Sequence, residues 1–122
     1  MATTSDIFFN ELQNAFPCLA NEFDFDEGEH YNMERFAVYT IEQIQNKNIE
    51  ELKTCFNFIE NRLSIISPGV ENALNVSFCE ALLYYDDYKR GVEMKRVMPA
   101  KLFAFYKEYE KYYETLAKKK LK

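Results

Sequence analysis

The stretch from Asn48 to Asp87 limits the folds open to this chain more than any other, because it holds the longest apolar rows with a clear turn between them. In its first half Ile49, Leu52, Phe56, Ile59, Leu63 and Ile66 recur at alternating steps of three and four, which lines one side of a helix. Asn48 stands where a cap belongs, and Glu51 follows as in a capping box, with Asn in place of the usual Ser or Thr. Ser67-Pro68-Gly69 should end this helix. A proline disfavours helical geometry in the residue before it and suits a first helical turn, so Ser67 is expected to cap the next helix. There Val70, Leu74, Phe78, Ala81 and Tyr85 form one row, while Val76, Cys79 and Leu83 form another. So wide an apolar face predicts a helix with neighbours on two sides.

The rest of the chain arranges itself around this hairpin. Ile7, Phe8, Leu12, Ala15 and Phe16 predict a helix over 5–16 that stops at Pro17. Asn32 is read as the cap of a helix over 32–46 whose inner face is Met33, Phe36, Ala37, Thr40 and Ile44. The hairpin arms span 48–66 and 68–87, and a last helix over 98–118 carries Leu102, Tyr106, Tyr109, Tyr113 and Leu116 in one row, wide enough with Phe103, Phe105 and Tyr112 to bury most of its circumference. The stretch Tyr88 to Val97, with Gly91 and a basic cluster of Lys89, Arg90, Lys95 and Arg96, reads as the one long interior loop. The predicted fold is all-α, an irregular antiparallel bundle of about five helices in a single domain over 1–122. Only three Gly and three Pro among 122 residues favour such long helices over many short strands.

Several activities are made improbable by what is missing. His30 is the one histidine, so zinc chemistry and proton transfer have few means; Glu27-Gly28-Glu29-His30 has a Glu-x-x-His spacing, but a di-iron bundle needs two such pairs on helices. Asp24-Phe25-Asp26 opens like a calcium loop, yet Gly28 comes one place early and Arg35 stands where the bidentate Glu belongs. No phosphate loop or nucleophile elbow is present, and no cofactor is expected. No run of about 18 apolar residues could span a membrane. Cys18, Cys55 and Cys79 look like small buried hydrophobes in a reducing compartment, and the N-terminus lacks the features of a secretory signal, which predicts a cytoplasmic protein. A net charge of −5 argues against a nucleic-acid partner, although lysines alternate with tyrosines near the C-terminus.

Two features invite a functional reading. The first is the pair Glu60 and Glu80 on the two arms: Glu80, with Val76, Leu83 and Tyr84 one turn to either side, is expected to be partly desolvated, while Glu60, with Asn57 and Ser64 beside Phe56 and Leu63, sits at the edge of its row. They form either an acid/base pair or ordinary structural carboxylates bonded to a helix end or a tyrosine. The second is the segment Asn21 to Tyr31, where Glu22, Asp24, Asp26, Glu27 and Glu29 alternate with Phe23, Phe25 and Tyr31. So many carboxylates repel each other in a regular helix, which predicts a loop or a frayed turn. Residues 1–60 hold twelve Asp/Glu against three Lys/Arg, a net −9, whereas residues 61–122 hold eight against twelve, a net +4. The segment therefore reads either as a binding face for a protein with a basic surface, with its rings as apolar anchors, or as a solvated loop whose phenylalanines pin it to the core.

At Phe58-Ile59-Glu60, and at Asn72 with Val76-Ser77-Phe78-Cys79-Glu80-Ala81-Leu82, the sequence resembles a loose group of small all-α bacterial proteins of unknown function. Some of them look like immunity proteins of toxin systems. The resemblance covers the hairpin, implies a cytosolic helical domain and toxin neutralisation, and assigns no binding residue. The expectation is a non-enzymatic protein-binding domain, with a small helical enzyme or ligand-binding bundle using Glu60 and Glu80 as the alternative.

Overall fold

The computed structural model describes residues 3–85 and 91–120, with the backbone alone for 91–93 and 117–120. It is an all-α bundle with six helices among the described residues. They are α1 (Ser5–Ala15), α2 (Glu29–Gln45), α3 (Ile49–Glu60), α4 (68–85), α5 (Gly91–Arg96) and α6 (Ala100–Lys120). Short 3-10 turns, Pro17–Leu19 and Phe25–Glu27, fill the connection from α1 to α2. Within α4 the turn Leu74–Cys79 is π-helical, between the α-helical pieces Pro68–Ala73 and Glu80–Tyr85.

Local chemistry sets most of the boundaries. The Asn48 side chain accepts from the amide of Glu51, and Ser67 Oγ accepts from the amide of Val70, with Pro68 in the first turn. The turn between α2 and α3 closes as a Schellman motif: Lys47 takes a positive φ of 56°, and the amide of Asn48 reaches back to the carbonyl of Gln43. Thr3 is buried and pairs by its backbone with residues 65 and 67, which ties the start of the chain to the linker between α3 and α4.

Both arms of the hairpin pack on α2 and on α6, so α2 and α6 hold them together. The core they enclose is largely aromatic. Phe58 meets Phe8, Phe16 and Phe36 edge-on or nearly so, and Phe36 stacks on Phe78 with ring centres 5.4 Å apart. Phe8, Phe36, Phe56, Phe78 and Tyr106 are wholly buried, each contributing about 1.5–3 kcal/mol through removal from water. Arg62 covers this cluster where α3 ends: its guanidinium lies 3.7 Å from the Phe58 ring centre, donates to the Phe58 carbonyl and pairs with Glu11.

The structure departs from the sequence reading at several points. α3 stops at Glu60 rather than Ile66, because residues 61–65 switch to tighter bonds, from the amide of Arg62 to the carbonyl of Ile59 and from Ile65 to Arg62. Leu63 and Ile66 still pack on the core, so the apolar spacing outlasted the helix. α2 starts at Glu29 rather than Asn32, since an acidic side chain is favourable in a first helical turn and Gly28, at φ 90°, makes the break before it. The stretch read as a loop over 88–97 contains α5. Val76, expected on an apolar row, is exposed: the π turn adds a residue per turn, swings Val76 outward and brings Leu82 into the core. Cys18 is exposed, and only Cys55 and Cys79 are buried. α6 buries Leu102, Tyr106 and Tyr109, but Phe103, Tyr112 and Leu116 remain exposed, so less of its circumference is covered than its composition predicts. The predicted helix end at Asp86-Asp87, the basic residues Lys89 and Arg90, and Leu121-Lys122 lie outside the described residues.

Candidate functional site

The acidic segment is held by one buried amide. Asn32, 2% exposed, accepts from the amide of Asp24 at 2.9 Å and donates to the carbonyl of the same residue at 3.1 Å. Asp24 in turn caps the 3-10 turn, its carboxylate accepting from the amide of Asp26 at 3.0 Å. Phe23 is half-buried with its ring edge-on to Phe9. Two anchors, one polar and one aromatic, thus fix a segment that the repulsion of its charges would otherwise spread.

What this exposes is charge and rings. Glu22, Asp24, Asp26 and Glu27 are exposed, while the half-buried Glu29 lays its carboxylate over Gly69 in the first turn of α4. Phe25 and Tyr31 are 39% and 40% exposed. Arg35, the nearest base in sequence, lies over the Tyr31 ring and pairs with Glu34 instead of the segment. Among the described residues none of Glu22, Asp24, Asp26, Glu27 and Glu29 has an ion-pair partner. His30, whose Nδ1 lies 3.1 Å from Ser77 Oγ, joins the start of α2 to the π turn of α4.

Glu60 and Glu80 are both engaged by the scaffold. The Glu60 carboxylate takes two amides of the first turn of α6, Lys101 at 3.1 Å and Leu102 at 2.6 Å, so it serves as a cap supplied by another helix. Glu80 accepts from the hydroxyl of Tyr109 at 3.3 Å. Burial, with the Glu80 charge second, pushes that phenol up to about 12. A similar pair joins α2 to α3, where Tyr39 donates to Glu51 and burial raises the phenol above its ordinary range. Burial also pushes the Cys55 thiol up to about 12, which keeps it protonated and unreactive at neutral pH.

One further feature has no counterpart among the sequence expectations. A groove of about 700 Å³ runs between α4 and α6, lined on its apolar side by Leu63, Val76, Ala104, Phe105, Tyr109 and Tyr112. Glu71, Glu108 and Lys101 supply its charges, and Ser64, Asn72 and Asn75 its uncharged polar groups. Neither Glu60 nor Glu80 lines it. Nothing in the sequence signals it, because Val76 continues an apolar row there and stands exposed only within the π turn. Among the described residues no group of three or more His, Cys, Asp or Glu side chains is placed to hold a metal ion.

No curated protein and no solved structure matches this chain. A family model does match, over residues 9–114, which takes in every feature above from the Phe9 contact to the end of the groove. The chain belongs to the family described as Domain of unknown function (DUF7674).

Proposed function

We propose that this chain is a non-enzymatic protein-binding domain that offers its 22–31 segment to a partner with a basic surface, in the manner of an immunity-type inhibitor of a bacterial toxin. The observation that carries the reading is the fixed set of five carboxylates with no ion-pair partner among the described residues, beside the exposed rings of Phe25 and Tyr31. Unpaired charge of one sign steers a basic partner and raises its association rate, while exposed aromatic side chains supply the anchors that charge does not. Because Asn32 has already fixed the backbone, little ordering entropy remains to be lost on binding. The alternative, a small helical enzyme or ligand-binding bundle using Glu60 and Glu80, has less support: each carboxylate is engaged by a helix end or a tyrosine, and neither lines the groove.

The test is the association rate with a candidate partner protein that carries a basic surface, measured at low and high salt. Replacing Glu22, Asp24, Asp26, Glu27 and Glu29 by Gln or Asn should slow association about tenfold or more at low salt and flatten its salt dependence. An unchanged rate with unchanged salt dependence removes the segment from the interface.

A further inference from the structure

The groove between α4 and α6 has a composition of its own. Its wall is apolar and aromatic, with Val76 turned outward by the π turn, and Tyr112, 57% exposed, tilted against Tyr109 at 5.8 Å between ring centres. Tyr109 is held in place by Glu80, and the start of α6 by Glu60, so each carboxylate positions a residue of the lining, Tyr109 and Lys101. Its charged side chains are two exposed carboxylates, Glu71 on α4 and Glu108 on α6, against the single cation Lys101. Neither carboxylate has an ion-pair partner among the described residues. The size lies within the range of about 300–1,000 Å³ that holds a ligand or a few side chains.

We propose that this groove receives a basic amphipathic helix of the partner, its apolar side chains against Val76, Phe105 and Tyr112 and its lysines or arginines beside Glu71 and Glu108. Three observations select that occupant. The excess of negative charge fits a cationic segment, and the exposed tyrosine face suits both an aliphatic anchor and a cation. A trough between two helices suits a helix laid into it, with contacts at i, i+3, i+4 and i+7; strand addition needs a sheet edge, which the described residues lack. The groove also adjoins the acidic segment across α4: Glu29 lies over Gly69 two residues before Glu71, and His30 meets Ser77 beside Val76. One basic partner spanning α4 therefore meets both. The inference rests on the protein-binding reading above and assigns its apolar anchor site.

The probe is a labelled synthetic helix with Leu at i, i+3, i+4 and i+7 and Lys elsewhere, titrated into the full chain by fluorescence anisotropy. A second peptide of equal charge has every Leu replaced by Ser. Ala104→Trp, made at an exposed position, fills the groove and should weaken the Leu peptide tenfold or more with the melting temperature unchanged. Glu71→Gln with Glu108→Gln, which adds no bulk, should weaken it severalfold and reduce its salt dependence, and the Ser peptide should bind at least tenfold more weakly than the Leu peptide. Equal binding of the two peptides, or an unchanged affinity in Ala104→Trp, overturns the groove assignment. A concentration-dependent dimer that Ala104→Trp dissolves also overturns it, by giving the groove to a second copy. Neutralising the five carboxylates of residues 22–29 separates the two readings. If that change leaves peptide binding untouched while Ala104→Trp abolishes it, the groove stands whatever the partner-association test says of the acidic face; the converse result rejects the groove alone.

Discussion

Glu60 and Glu80 have the same kind of neighbours in sequence and different work in the fold. Glu60 accepts two backbone amides that nothing else in their own helix satisfies, whereas Glu80 accepts one phenol. Glu80→Gln keeps an acceptor for Tyr109 and should cost little, but Glu80→Ala should leave the hydroxyl unpaired and cost about 1–3 kcal/mol. Glu60→Ala should cost a similar amount, and Glu60→Gln part of it, because an amide offers one oxygen where two are used. Chemical denaturation of the four variants checks this; equal and negligible effects of both Glu80 changes would show that its bond to Tyr109 carries no weight. The kind of partner, a helix end or a tyrosine, was legible in the sequence, but not which one, because Lys101, Leu102 and Tyr109 lie 41, 42 and 29 residues away. Asn32 shows the same limit. Its position before an apolar period reads as a cap, and only the folded chain reveals that its side chain turns back to Asp24, eight residues earlier.

At the scale of the elements, apolar spacing located the helices well and their ends less well. Asn48, Ser67 and Pro68 act through bonds within three residues, so those starts were legible. The end of α3 was not, because Leu63 and Ile66 face the core equally well from a chain of tighter turns. The short helix α5 was hidden by its basic residues. Beside the wholly buried Met94, an ion-pair relay attaches it: Glu110 of α6 meets Lys95 at 3.2 Å and also pairs with Lys107. Burial works to raise the Glu110 carboxyl, but the hydrogen bonds and charges of Lys107 and Lys95 outweigh it and hold the group below its ordinary value of 4.5. A carboxyl depressed by folding stabilises the fold above its ordinary value and loses that contribution as pH falls through the lower, folded one. The wild type should therefore melt above Glu110→Gln at neutral pH, with the gap closing below about pH 4.5. A gap that stays constant from neutral to strongly acid pH would remove the relay from the stability of the molecule.

For the whole molecule, the division of charge, −9 over residues 1–60 and +4 over residues 61–122, was legible as arithmetic, but its placement was not. Charge repulsion alone predicts a loop or a frayed turn at 21–31. The fold overrides it by local means: Asn32 ties the backbone of Asp24, Phe23 packs on Phe9, and Glu29 enters the favourable first turn of α2. The proposed binding face depends on that override, since a fixed face of unpaired carboxylates recognises a basic surface differently from a flexible acidic tether. The direct measurement is backbone ¹⁵N relaxation of the full chain, with amide exchange at Asp24 and Asp26. A fixed face predicts order parameters for residues 23–28 near the helical value of about 0.85 and slowed exchange at both amides, each lost in Asn32→Ala while the helices keep theirs. Order parameters below about 0.6 across 23–28 in the unaltered chain, with unprotected amides, would contradict it.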